Sequence, residues 1–296
     1  MQKLQIFYRE EQTVKHNPTP DNFNYPVFSP SAGKPKLVVE DYLSSGLAEY
    51  VCLNDQWEPL TRQDIYLSHR KSHVDNILDC KTINGFGNKS KEVSDSLSFT
   101  NGSFVRASFY AYENKTNTMS PTSGFHHSGY SSSEGFCTFN GLMIAAIKLK
   151  KETNICKIGI VDYDAHWGNG TDNIINVLGI DYISHISLGK AANLIHRKKL
   201  GSNEWVKNIK TDLEKNISDC ELIMYQAGAD PHINDPYGQL LTTEQMFERD
   251  MIVFQFAKDH NIPIVWNLAG GYQEPIQKVL DLHMNTLIAY TNVFCQ

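Results

Sequence analysis

Three residues with metal-binding side chains follow apolar, strand-like segments in the second half of the chain. Asp164 and His166 follow the apolar start of residues 157–164, and Asp230 follows residues 220–226. Alternate residues of an extended segment point to the same side, so a carboxylate and an imidazole two positions apart can reach one cation. Three protein ligands leave a coordination position open for water, as in catalytic zinc sites. The pattern favours a metal centre, although Asp-x-His alone is also compatible with a hydrogen-bonded pair at a strand end.

Two adjacent histidines, His126 and His127, lie in a segment rich in glycine and serine. Imidazole titrates near neutral pH, which suits a general acid and base. Asp162, which precedes Asp164 and His166, is a suitable carboxylate to fix the tautomer of one imidazole. On the dipeptide alone, two exposed loop histidines are the simpler interpretation.

Tyr272 follows Gly270 and Gly271 after an apolar segment. Glycine permits conformations with positive φ and a close approach of the backbone. A tyrosine hydroxyl placed after such a turn can donate to an oxyanion. A surface turn with a packed aromatic ring is the alternative.

Alternating apolar and helical segments position these residues. The strand-like segments are residues 157–164, 182–188, 220–226 and 263–269. Helices are predicted at residues 36–48, 62–79, 135–151, 203–215 and 242–260, the last with a Thr242–Gln245 capping box, and another from Glu274–Pro275. Loops are predicted at residues 12–36, 85–103 and 114–135. Alternating strands and helices predict a parallel sheet, whose carboxyl edge is where ligands bind.

The composition excludes several classes of protein. With 41% hydrophobic and 20% charged residues in 296, the chain is not disordered. A net charge of −6 gives no general attraction for nucleic acid or anionic lipid. We expect no membrane span and no signal peptide, hence a cytoplasmic location, with signal-less export left open. Six scattered cysteines predict free thiols.

Together the motifs resemble the zinc-dependent histone deacetylase family, in order and over nearly the whole chain. The similar segments are FSPSAGKPKLV (28–38), IYLSHRKSHVDNIL (65–78), GFHHSGYSSSEGFCTFNG (124–141), VDYDAHWGNGT (161–171), QAGADPHINDPYGQLLTTE (226–244) and NLAGGYQ (267–273). The resemblance implies an α/β arginase/deacetylase fold, with a parallel eight-stranded sheet flanked by helices. It also implies one deacetylase catalytic domain over residues 1–296.

The resemblance also implies roles for individual residues. Zn²⁺ would be bound by Asp164, His166 and Asp230. His127 would be the general base and then the acid, with His126 held by Asp162 as its partner, Asn169 beside His127, and Tyr272 donating to the substrate carbonyl. A structural potassium ion would use oxygens of Asp162, Asp164, His166, Ser187 and Leu188. The substrate would meet Gly135, Phe136, Tyr237 and Gly270.

The function implied is hydrolysis of acetyl or other acyl groups from the ε-amino group of lysine in proteins or peptides. An acetylpolyamine amidohydrolase is the alternative, although Tyr237 stands where we align the polyamine-selective glutamate. A binding module without turnover is a third interpretation, and Fe²⁺ or Co²⁺ could replace Zn²⁺ at an oxygen-rich site. An arginase-type dinuclear site is disfavoured because Gly168 and His232 stand where its additional carboxylates are needed.

Overall fold

Seven parallel strands form one sheet in the computed structural model, which describes residues 3–14, 32–196 and 201–295. The order across the sheet is β2-β1-β3-β7-β6-β4-β5. The strands are β1 (Leu4–Phe7), β2 (Val51–Asn54), β3 (Thr118–Met119), β4 (Ile158–Asp162), β5 (Ile183–Ser187), β6 (Leu222–Gln226) and β7 (Ile264–Asn267). The α/β class and parallel sheet are confirmed, with seven strands in these residues rather than eight.

Helices cover both faces of the sheet. They are α1 (Lys34–Ser44), α2 (Arg62–Ile65), α3 (Lys71–Leu78), α4 (Lys91–Asn114), α5 (Gly141–Glu152), α6 (Asn169–Leu178), α7 (Gly189–His196), α8 (Ser202–Asn216), α9 (Thr243–Asp259) and α10 (Gln277–Phe294). In the described part of the chain, no helix combines the length and apolar character needed to cross a bilayer.

Strand β6 shows how the sheet divides the hydrophobic core. Ile223 and Tyr225 join the cluster formed with helices α1, α8, α9 and α10, whereas Leu222 and Met224 join the cluster formed with α2 to α6. Alternate residues of a strand point to opposite faces, and both faces of a parallel sheet are covered. This explains why the central strands read as continuous apolar runs and why their polar residues come at the ends.

The predicted loop over residues 85–103 is wrong, because α4 occupies most of it. The Ser90 hydroxyl accepts the N–H of Val93 and caps the helix. Small polar residues here are buried within the packing: Ser94 is buried, and a Cβ on Gly102 would lie 3.1 Å from the Trp57 ring. Because these residues allow close helix packing, their loop-like composition was misleading.

Other boundaries also differ from the sequence prediction. The helix predicted at 62–79 is two helices, and that predicted at 135–151 begins only at Gly141. Three short strands of the N-terminal half, β1, β2 and β3, were not predicted. Most of the predicted loop at 12–36 lies outside the described residues. The capping box of α9 is confirmed, with the N–H of Gln245 donating to the Thr242 hydroxyl.

Candidate metal centre and catalytic pocket

The three candidate metal ligands lie together just beyond the carboxyl ends of β4 and β6. The ligand atoms of Asp164, His166 and Asp230 all lie within 4.8 Å of one another. The Nδ1 atom of His166 is 3.1 Å from Oδ1 of Asp164 and 2.9 Å from Oδ2 of Asp230. Asp162 pairs with Gln226 in the β4–β6 register, so the segments that follow both strands leave the sheet side by side. The strand pairing therefore explains why ligands so distant in sequence meet.

The electrostatics of this cluster suit a cation. Both carboxylates are buried, and burial together with the charge of Asp164 raises the pKa of Asp230 to about 7. Hydrogen bonds to Asp164 and Asp230 raise the pKa of His166 to about 11, so a proton occupies the imidazole between them. Carboxylate oxygens and imidazole nitrogen are ligands of Zn²⁺. The residues present therefore fit a divalent metal, which would replace that proton.

Gly270 closes one side of the cluster with its backbone. Its N–H donates to Oδ2 of Asp164 at 2.9 Å. A Cβ at this position would lie 2.6 Å from Cγ of Asp230, so only glycine fits without displacing a carboxylate. Behind the turn, the buried Lys34 donates from Nζ to the carbonyl oxygens of Ala269 and Gly270, at 2.5 and 3.1 Å. These bonds hold the turn that leads to Tyr272.

The tandem histidines have different environments. Nδ1 of His126 donates to Oδ2 of Asp162 at 2.7 Å, and Oδ1 of Asp162 accepts from Nε2 of Gln226 at 2.9 Å. Burial alone lowers the pKa of His126, but the negative charges of Asp162 and Asp164 raise it to about 9. His126 is therefore the member of the pair that carries a positive charge at neutral pH.

His127 is the member with a free basic nitrogen. Its Nδ1 donates to Oδ1 of Asn169 at 2.6 Å, which leaves Nε2 as the acceptor. Burial and the positive charge of His126, whose ring centroid is 4.1 Å away, lower the pKa of His127. Its ring lies 5.8 Å from that of His166, centroid to centroid. A neutral imidazole next to the metal-type cluster can accept a proton from a group held there.

Three aromatic rings pack together near the candidate metal ligands. The ring of Tyr272 lies 5.7 Å from that of Phe136 and 5.0 Å from that of Tyr237, between centroids. Burial and the charges of Asp230 and Asp164 raise the pKa of Tyr272 well above its usual value, so its hydroxyl stays protonated as a donor. The Asp235 carboxylate links the backbones of these two tyrosines, because it accepts from the N–H groups of Tyr237 and Tyr272 at 3.0 and 2.8 Å.

Gly135 lies next to Phe136 in the chain and approaches the ring of His127. It has a φ of +56°, and a Cβ there would lie 2.5 Å from Cδ2 of His127. Both the backbone conformation and the close approach therefore favour glycine.

The residues predicted to bind potassium lie at the sheet edge behind the histidines. Ser187 pairs with Asp162 in the register of β5 and β4. The N–H of Leu188 donates to the carbonyl oxygen of Asp162 at 2.9 Å, and the Ser187 hydroxyl accepts from Gly168. Asp162, Ser187 and Leu188 therefore adjoin one another at the end of β4 and β5, and their role in binding potassium stays a prediction.

The structure brings every predicted site residue to this one edge of the sheet, and their individual roles stay predictions. Sequence analysis missed the residues that support them from a distance. Gln226 ends β6 within the motif that was quoted, and a polar residue at a strand end was a usable signal. Lys34, Asp235 and Glu134 also lie within the segments that resemble the family, but their contacts are with the backbone or with other side chains, and neither their type nor their spacing predicted those contacts.

The parallel sheet and the strand-end site define an α/β protein of the deacetylase fold. The crystal structure of the HDA15 HD domain superposes with a TM-score of 0.74 at 17% identity, covering 99% of this chain and 94% of that one. The Histone deacetylase domain family matches residues 31–188 and 179–287. The chain therefore belongs to the histone deacetylase family.

Two similar proteins agree with this assignment. Histone deacetylase 2 of Arabidopsis thaliana is 29% identical over an alignment of 175 residues, and the match covers 53% of this chain and 44% of the relative. A probable deacetylase of Methanothermobacter thermautotrophicus is 24% identical over an alignment of 170 residues, and the match covers 50% of this chain and 50% of the relative. The chain thus spans about half the length of the curated relatives it matches.

Proposed function

We propose that this protein is a zinc-dependent amidohydrolase that removes acetyl or related acyl groups from the ε-amino group of lysine in proteins or peptides. The observation that carries the proposal is the convergence of Asp164, His166 and Asp230 beside a neutral His127. We also propose that residues 1–296 belong to one catalytic domain, because both hydrophobic clusters pack against the same sheet.

The chemistry requires a stronger electrophile, a nucleophile and a proton for the leaving amine. Zn²⁺ held by Asp164, His166 and Asp230 would polarise the acyl carbonyl and lower the pKa of a water molecule toward about 7. His127 would accept a proton at Nε2 and then return it to the leaving amine, while Asn169 holds its Nδ1–H. His126, paired with Asp162, would keep positive charge beside the developing anion.

Tyr272 would donate its hydroxyl to the substrate carbonyl oxygen as negative charge develops there. Its raised pKa keeps the donor protonated. A single preorganised donor of this kind contributes about 3 kcal/mol to catalysis. Phe136, with its ring 5.7 Å from Tyr272, would form one wall for the apolar stem of an acyl-lysine, and Gly135 would accept a substrate N–H.

The choice of substrate rests on the mouth of the pocket. Tyr237 is 57% exposed there and packs edge-on against Tyr272. An aromatic ring suits the aliphatic stem of lysine, whereas a carboxylate at this position would favour the cationic chain of a polyamine. Acetyl-lysine in a peptide is therefore the proposed substrate. We include in the proposal a structural potassium ion at Asp162, Ser187 and Leu188, which adjoin one another at the end of β4 and β5.

The test is a turnover assay on the zinc-loaded protein with two substrates, an acetyl-lysine peptide and N-acetylputrescine. Each is assayed with and without a hydroxamate chelator, and the His127→Ala variant is the control for catalysis at this site. Acetate release from the peptide that hydroxamate and H127A abolish is the expected result. Preference for N-acetylputrescine would move the function to polyamine hydrolysis, and zinc binding without turnover of either would favour a binding module.

A further inference from the structure

Glu134 is an exposed residue that contacts Asn169, the hydrogen-bond partner of His127. Its Oε1 accepts from Nδ2 of Asn169 at 2.7 Å. Asn169 in turn accepts from Nδ1 of His127 through its Oδ1, at 2.6 Å. Three side chains therefore form a continuous hydrogen-bonded series that runs from the solvent-exposed rim to the candidate general base.

A tight turn fixes the starting point of this series. The N–H of Glu134 donates to the carbonyl of Cys137 at 3.2 Å, and the N–H of Cys137 donates back at 2.8 Å. The two residues between them, Gly135 and Phe136, have φ values of +56° and +63°. Two positive φ angles between paired hydrogen bonds are the geometry of a type I′ turn. The two hydrogen bonds fix the backbone of Glu134, the first residue of the turn. The Glu134 side chain therefore starts from a fixed backbone position.

The orientation of the Asn169 amide decides which nitrogen of His127 carries the proton. An ionised carboxylate only accepts hydrogen bonds, so the amide atom that faces Glu134 must be the NH₂ group. The amide oxygen then faces His127 and requires a proton on Nδ1. Nε2 is left with a lone pair, the form that a general base needs.

The reversed amide would have the opposite effect. With the NH₂ group toward His127, Nδ1 would have to accept, and the proton would move to Nε2. In that tautomer Nε2 already carries a proton and cannot accept another from the nucleophile. The wrong histidine tautomer greatly lowers kcat in other histidine-dependent hydrolases. The Asn169 amide is uncharged and can bond to His127 in either orientation. The choice between the two orientations must therefore come from Glu134, its other hydrogen-bond partner.

We propose that Glu134 is a positioning residue that fixes the amide orientation of Asn169 and thereby the productive tautomer of His127. The inference rests on the proposed function, because it takes His127 as the general base. It assigns Glu134 no contact with the reacting atoms. A different role, in which the exposed carboxylate attracts a cationic substrate, is an outcome that the test separates.

The first test compares Glu134→Ala and Glu134→Gln in the zinc-loaded protein. For E134A we expect kcat to fall about 3- to 10-fold with KM within about 2-fold, since the loss is that of one charge-assisted hydrogen bond near the surface. E134Q presents both a donor and an acceptor to Asn169 and so no longer selects one amide orientation, and we therefore expect its kcat to fall toward that of E134A. The exposed Glu274, two residues after Tyr272, provides the charge-matched control E274A, which leaves the Asn169 contacts in place.

The second test places the same substitution in an Asn169→Asp background. A carboxylate at position 169 accepts from His127 in either orientation, and it would repel Glu134. We therefore expect E134A to leave kcat of N169D unchanged or to raise it. If E134A lowers kcat equally in the parent and in N169D, the proposal is overturned. It is also overturned if E134A raises only KM, and does so more for substrates with more positive charge.

The third measurement does not depend on turnover. In protein with ¹⁵N-labelled histidine at neutral pH, His127 should show a protonated Nδ1 and an unprotonated Nε2, and E134A should shift it toward the opposite tautomer. If H127A leaves acetate release intact, the proposed function fails. If H127A abolishes release but E134A changes neither kcat nor the tautomer, the role of Glu134 alone is refuted.

Discussion

Replacing Tyr272 by Phe removes one hydroxyl while retaining the ring that lies between Phe136 and Tyr237. The backbone N–H of residue 272 can still donate to Asp235. We therefore expect the free energy of unfolding to change by less than about 1 kcal/mol, and zinc binding to be unchanged. What is lost is a hydrogen-bond donor, which the raised pKa of Tyr272 keeps protonated in the parent.

The kinetic effect is expected in kcat. Loss of one preorganised donor to an oxyanion costs about 10²- to 10³-fold in kcat, or roughly 3–4 kcal/mol, because the bond strengthens only as charge develops. KM for the acetyl-lysine peptide should stay within about 3-fold, since a neutral carbonyl is a weaker acceptor than an oxyanion. Acetate release over a range of peptide concentrations separates the two constants.

Tyr237→Phe is the matched control for this experiment. It removes the same hydroxyl from the neighbouring ring, which is 57% exposed and which we place at the mouth rather than at the reacting carbonyl. We expect kcat of Y237F within about 2-fold of the parent, in the usual range for an exposed substitution. The reasoning is refuted if Y272F loses less than about 5-fold in kcat, if its loss lies in KM, or if Y237F is equally impaired.

Three further outcomes follow from the site and the fold. Zinc binding should displace protons from the site, because the pKa values of His166 and Asp230 are both raised without the metal, so zinc affinity should fall as pH falls; chelator competition at several pH values measures this, and an affinity that does not change with pH would contradict it. Gly270→Ala places a Cβ 2.6 Å from Asp230 Cγ and should weaken zinc binding about 10- to 100-fold in a chelator competition, whereas unaltered affinity would show that the site can relax. Thr242→Ala removes the cap of α9 and should lower the free energy of unfolding by about 1 kcal/mol in urea denaturation without affecting zinc affinity.

The second half of the fold was readable because its strands are continuous apolar runs with polar residues at their ends. β4, β5, β6 and β7 lie within the predicted segments, and α9 begins at its predicted cap. The first half was less readable. β3 has only two residues, Thr118 and Met119, which is too short for any periodic pattern, and the buried serines and asparagine of α4 resemble a loop in composition.

The sequence by itself determined which chemical groups are available and where each leaves the sheet. Asp164 and His166 are two positions apart, Asp230 follows another strand, and Tyr272 follows a Gly-Gly turn; these are local properties of the chain. Because parallel strands end at the same edge, the order of the segments alone was sufficient to predict that the groups would meet.

Only the tertiary structure decided the contacts that set protonation and orientation. Lys34 reaches the carbonyl of Ala269 across 235 positions, Gln226 reaches Asp162 across 64, and Glu134 reaches Asn169 across 35. Such partners have no sequence spacing in common, because they are selected by the packing of separate elements. Burial, which raises the pKa of Asp230 and lowers that of His127, likewise depends on everything packed around a side chain and so exists only in the folded chain.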